Sequence, residues 1–159
     1  MLGQFVQGPV TTDVPGRVFT LPGNRGMGIT LYSAGAVTKG QPMMVDFSST
    51  ADQEVRAVAP ATMASQRLVV IALEAVAAAT VGKFQFQGKC LDCDVETGVA
   101  AGDRLQLTNA ETALEVDGST TSTTHTTATC AMALEANATG SDASLEVWLY
   151  GKEAIIEAS

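Results

Sequence analysis

The residues best equipped for chemistry lie around Cys90-Leu91-Asp92-Cys93. Two cysteines three positions apart have the spacing of a redox pair or of half a zinc site, and His125 with Cys130 would complete four ligands. The tract that holds His125 argues against it. Residues 119 to 129 are almost all threonine, serine and alanine, and their β-branched content favours an exposed strand or extended loop. Residues five apart on a strand point to opposite faces, so His125 and Cys130 do not converge. Cys90, Cys93 and Cys130 are therefore read as ordinary strand cysteines, with neither metal nor redox cofactor. His125 is the sole histidine and has no serine or cysteine nucleophile motif around it, which removes a triad.

Other motifs reduce to structure in the same way. Asp92, Asp94 and Glu96 alternate along an expected strand; such a row can hold a cation, but its plain reading is a solvated face. Gly23-Asn24-Arg25-Gly26-Met27-Gly28 resembles a phosphate loop, yet no Lys-Ser/Thr and no helix follow, so turn chemistry accounts for its glycines. Asn137-Ala138-Thr139 matches a glycosylation sequon, which has meaning only in a secreted eukaryotic chain. No catalytic, cofactor-binding or metal residue is assigned, and the expectation is a protein that is not an enzyme.

Composition narrows the partners. The chain has 159 residues, enough for a core without staples. Its 17 acidic against 9 basic side chains, a net charge of −8, repel phosphate backbones, so no nucleic-acid partner is expected. Met1 to Val10 lacks the basic and apolar regions of a signal peptide. The longest apolar run, Leu68 to Leu73, is far below the ~20 residues of a spanning helix. A soluble protein with reduced thiols and no membrane partner is expected.

The elements that must position these residues occur twice. Val37-Thr38-Lys39-Gly40, Ala72-Leu73-Glu74-Ala75 and Gly88-Lys89 recur in order as Val99-Ala100-Ala101-Gly102, Ala133-Leu134-Glu135-Ala136 and Gly151-Lys152. The matched points lie 62, 61 and 63 residues apart, and three landmarks in register indicate a duplicated unit of about 62 residues, 37–89 and 99–152. Each copy reads as β. Met43, Val45 and Phe47 alternate on one face of a strand, as do Leu105 and Leu107; Phe84 and Phe86 match Val147 and Leu149. Leu68 to Leu73 reads as a central strand covered on both faces, with Ala128 to Leu134 as its weaker counterpart. Short helices are expected at most at Pro60 to Gln66 and Ala75 to Thr80.

Before the repeat, residues 1–35 contain three of the five prolines and seven glycines, with turns at Pro15-Gly16 and Pro22-Gly23-Asn24. They read as an extended arm in which Met27, Ile29 and Leu31, or Arg17 to Leu21, form strands able to lie on a sheet edge. The expected fold is all-β: a β-barrel or β-tulip-like domain over residues 36–152, an N-terminal arm before it and a short tail, 153–159, after it.

The Gly/Pro-rich arm, the Val-x-x-Gly-Gln/Asp turns, the segment Val69-Val70-Ile71-Ala72-Leu73 and the strand Gly82-Lys83-Phe84-Gln85-Phe86-Gln87-Gly88 together resemble the small capsid decoration, or cement, proteins of tailed bacteriophages. The likeness is one of pattern, over roughly residues 17–152. It implies a protein made in the host cytoplasm that binds the major capsid protein on the outside of an icosahedral virion, commonly as a homotrimer, and stabilises the shell. Under that reading Phe5, Val6, Val18, Phe19 and Leu21 form the capsid-binding arm, adding to a neighbour's sheet edge. A phage fibre or host-attachment module using the Thr-rich segment is the alternative. A lipoyl- or biotinyl-like carrier domain shares the Val-x-x-Gly turn, but Lys39, Lys89 and Lys152 lack that family's Met-Lys-Met-like context.

The copies differ at one telling place. Trp148 and Tyr150 stand where the first copy has Gln85 and Gln87. Either the tail with Ile155 and Ile156 folds over them, or they anchor a subunit interface.

Overall fold

The computed structural model describes residues 15–47, 55–61, 63–118 and 128–156. Among these, eleven strands follow one another: β1 (Val18–Thr20), β2 (Gly26–Ser33), β3 (Pro42–Asp46), β4 (Arg56–Val58), β5 (Met63–Ala72), β6 (Thr80–Val95), β7 (Arg104–Gln106), β8 (Glu115–Val116), β9 (Ala131–Ala133), β10 (Ala143–Tyr150) and β11 (Glu153–Ile156). The fold is all-β, as the alternating patterns predict. Neither the described part of Pro60 to Gln66 nor Ala75 to Thr80 is helical: from Met63 the first belongs to β5, whose non-local pairings override a marginal propensity, and the second is a turn leading into β6.

Five strands close a barrel. Around it run β2, β4, β3, β5 and the first half of β6, and the ring is completed because β6 pairs antiparallel with β2 from Gly26↔Gly88 to Ser33↔Thr80. The join between β2 and β4 is parallel; the remaining joins are antiparallel. Ile29, Leu31, Met43, Val45, Val70, Ala72 and Phe84 fill the interior. Phe84 and Leu31 are wholly buried, each stabilising the barrel by about 1.5–3 kcal/mol.

The second half of β6 opens a second ring with the same connectivity. β10 pairs with it, β9 with β10, β7 with β9 and β8 with β7. The ring closes where Leu114, just before β8, bridges Val95 in parallel; Glu96 N–H donates to Leu114 O at 2.9 Å and Leu114 N–H to Asp94 O at 2.8 Å. In both rings the opening strand joins the third in parallel, and the order round the ring is first, third, second, fourth, fifth. The duplication expected from the sequence is thus a duplication of barrels.

Hydrogen bonds explain why those landmarks recur. In the Val-x-x-Gly turns, Gly40 N–H donates to Ala72 O at 2.9 Å and Gly102 N–H to Ala133 O at 2.8 Å. The next residue closes each turn: Gln41 Oε1 accepts from Thr38 N–H at 3.2 Å, and Asp103 Oδ2 from Ala100 N–H at 2.8 Å. The glutamate of Ala-Leu-Glu-Ala ties the turn to the last strand, since Glu74 Oε1 accepts from Lys83 N–H at 3.3 Å and Glu135 Oε2 from Glu146 N–H at 3.0 Å.

Three expectations need correction. First, β2 is no edge strand and residues 26–33 are no arm: one edge of β2 pairs with β6, and the other carries β1 at Met27–Ile29 and β4 at Tyr32–Ser33. The repeat therefore begins at Gly26, before the expected boundary at residue 35. Second, residues 153–156 are a strand rather than a tail, since β11 pairs with β5. Third, Phe47 is 58% exposed because it lies beyond the end of β3, while Met44, on the supposed outer face, is buried. The run at Leu68 to Leu73 behaves as expected: Val70 and Ala72 face the first core, Val69 and Ile71 the second cluster, which also holds Ala154 and Ile156 of β11.

β6 passes between rings at Gly88, whose φ is +91° and whose added Cβ would collide with the Arg25 carbonyl oxygen. Gly102 has a similar φ, +93°, but open space around it. Gly102→Ala is expected to cost about 1–2 kcal/mol, the left-handed penalty alone. Gly88→Ala is expected to cost about 1–3 kcal/mol more, through overpacking. Urea midpoints of the two variants check this, and equal losses would contradict the crossing geometry.

Candidate functional site

All three cysteines lie in one apolar cluster of the second ring, which also holds Leu105, Leu107, Leu114, Val147 and Leu149. Cys90 and Cys93 share that interior despite their odd spacing because of a bulge: Leu145 and Val147, two apart on β10, pair with Cys93 and Cys90, three apart on β6. The three thiols are free. Burial pushes Cys90 up to about 11, Cys130 up to about 12 and Cys93 well above its ordinary value. They are packing residues held as thiols, which reactive thiolates are not. No group of three metal-ligating side chains with metal-site geometry occurs among the described residues, and His125 falls outside them. Labelling with a thiol reagent at pH 8 is expected to leave Cys90, Cys93 and Cys130 unmodified until denaturant is added; rapid labelling of the folded chain would contradict this burial.

The acidic row is real but is no cage. Asp92 is exposed and its Oδ2 lies 2.9 Å from Lys39 Nζ. Asp94 is raised by partial burial, then by Asp142 and Asp92; Glu96 is raised by partial burial, then by Glu115, Glu111 and Asp142. A carboxyl that holds its proton more tightly when folded favours the fold at low pH and loses that contribution as pH rises through its folded value. Thermal midpoints are therefore expected to rise as pH falls from 7 towards the ordinary glutamate value of 4.5. Asp94→Asn should flatten that slope and change stability at pH 7 by no more than about 0.5 kcal/mol. A midpoint that falls over the same range would contradict the repulsion.

The sequon is closed off. Asn137 is buried, and its Nδ2 donates to Val95 O at 2.9 Å, Glu96 O at 3.0 Å and Ser141 O at 2.9 Å. Of the expected arm, Phe5 and Val6 lie outside the described residues. Val18 is 48% exposed on β1, and Phe19 lays its ring on Gly28, which leaves no room there for a side chain. Leu21 turns away from them into a cleft of about 310 Å³ between the rings. Arg25, Lys39, Ala72, Leu73, Gln85, Cys90, Leu91 and Asp92 complete its lining.

Trp148 is 46% exposed. The C-terminal strand does not cover it, because β11 is engaged by β5 on the first barrel. Cross-strand pairing sets Trp148 in a row: Arg104 opposite Met132, Met132 opposite Trp148, Trp148 opposite Lys89. Lys89 reaches Glu146 at 2.6 Å, and Lys152 Nζ sits 5.7 Å from the half-buried Tyr150 ring. The row thus presents an aromatic and a thioether between two cations. Gln85, the counterpart of Trp148, is not solvated. It is 2% exposed, and its Nε2 donates to Arg25 O at 3.3 Å, Gln87 O at 3.1 Å and Lys89 O at 3.0 Å. Sequence reasoning missed the cleft because it arises where the two rings meet, although the Gln85/Trp148 asymmetry pointed to that face.

No protein-family model matches the chain, and no curated protein matches it significantly. No helix among the described residues is long and apolar enough to cross a membrane.

Proposed function

We propose that this chain is a non-enzymatic structural protein that binds the outer surface of an icosahedral phage capsid and stabilises it. The supporting observation is the doubled barrel with its conspicuous surface: the three cysteines are buried as packing, while aromatic and apolar groups stand exposed on Val18, Phe47, Leu91 and Trp148. A net charge of −8 limits adhesion between particles that display many copies.

In this reading the segment before β1, with Phe5 and Val6, together with Val18, Phe19 and Leu21, engages the major capsid protein. The Arg104–Met132–Trp148–Lys89 row, with Tyr150 beside it, joins copies into a homotrimer. Exposed tryptophan supports that assignment, because Trp and Tyr dominate interface hot spots. Three weak contacts held in one trimer gain avidity without a new contact.

The test is co-sedimentation with purified shells stripped of surface proteins. The full chain should pellet with the shells and saturate at a fixed ratio, and a protein lacking residues 1–14 should lose most of that binding. Trp148→Ala, Tyr150→Ala should sediment alone as a folded monomer while the parent runs as a trimer. A parent chain that stays in the supernatant with intact shells would sink the proposal; a monomeric parent would remove the trimer alone.

A further inference from the structure

The cleft between the rings has a polarity that surface packing does not explain. Its floor is Gln85, almost wholly buried, with the side-chain N–H groups occupied by three backbone carbonyls. Gln85 lines the cleft and its Oε1 accepts no hydrogen bond within the described chain, so this acceptor is open to a donor from outside. Arg25 stands beside it. One nitrogen, Nε, donates to Pro22 O at 3.0 Å, which leaves the two terminal nitrogens of the guanidinium as donors in search of an acceptor. Leu21, Ala72, Leu73 and Leu91 supply apolar walls, and the Lys39–Asp92 pair closes one side at 2.9 Å. The local charge is one positive in excess, on a chain of net −8.

We infer that this cleft binds an extended peptide segment of a partner protein, with a backbone N–H donated to Gln85 Oε1, a glutamate or aspartate carboxylate on Arg25 and an adjacent aliphatic side chain against Leu21 and Leu91. Inorganic phosphate would satisfy Arg25 and could donate a P–O–H to Gln85, but it offers no apolar group to Leu21 and Leu91. A volume of about 310 Å³ suits two or three residues, at the small end of ligand sites. The carboxylate–guanidinium pair is the strong, charge-assisted element and sets the selectivity for an acidic residue. The inference shares Leu21 with the capsid reading, but it is tested with a peptide on the isolated chain, so that it and the shell binding can fail separately.

The probe is acetyl-Leu-Glu-Leu-amide, titrated into the ¹⁵N-labelled full chain and followed by NMR. Saturable shifts are expected at the Gln85 side-chain amide, Arg25 and Leu91, with a Kd on the order of 1 mM. The glutamine twin of the peptide, and the Arg25→Gln protein, should each bind at least about tenfold more weakly, and Arg17→Gln should bind as the parent does. Methylating the peptide's backbone nitrogens should abolish the Gln85 shift without touching the protein. The inference is overturned if the Gln85 amide shows no saturable shift, if the glutamate and glutamine peptides bind alike, or if inorganic phosphate alone reproduces the shifts.

Discussion

Everything in this molecule hangs on one strand. β6 is sixteen residues long, and its first half closes the first barrel against β2 while its second half opens the second ring against β10. A strand shared in this way cannot shift register in one ring without shifting the other, because each residue of slip turns the buried side chains outward. Gly88 permits the crossing: a side chain there would occupy the space of the Arg25 backbone. β11 then returns to β5, tying the far end of the second ring to the first. The two rings are thereby held by covalent continuity and by backbone pairing at both ends.

On this frame the duplicated residues keep the geometry and the unmatched ones supply the differences. Gln41 and Asp103, and Glu74 and Glu135, make matching bonds to backbone N–H groups, so sequence similarity survives where a side chain replaces a missing backbone partner. Elsewhere the copies solve one problem in two ways. Val76 is buried against Gly82 in the first ring, whereas Asn137 takes the corresponding place in the second and bonds three carbonyls. The position of Gln85, drawn into the junction of the rings, becomes Trp148 in the second copy, where no further ring among the described residues covers it.

What the sequence revealed follows from how local each cause is. Period-2 alternation and the two-sided apolar run of β5 depend on neighbours in the chain, and they were legible. The role of β2 was not, because Gly26, Gly28 and the nearby prolines are turn signals by composition, while the strand is made by pairing with β6, from Gly26↔Gly88 to Ser33↔Thr80. Nor was the bulge at Cys90 to Cys93, which turns an i, i+3 pair inward and converts a metal-like motif into core. The cleft depends on backbone carbonyls of Arg25, Gln87 and Lys89 converging on Gln85, which no pattern along the chain encodes. These misses share one origin: long-range pairing decides which face of a strand is inside.

Under the proposed shell-binding role such coupling would let surface groups on both rings move as one body. The coupling itself is open to direct measurement by native-state hydrogen exchange. If β6 is the common stave, amides of Phe84, Cys90 and Cys93 exchange only through global unfolding, with one opening free energy and one denaturant dependence for both rings. If the amides of the second ring open at a lower free energy while β2 and Phe84 stay protected, the rings are independent units and β6 does not unite them.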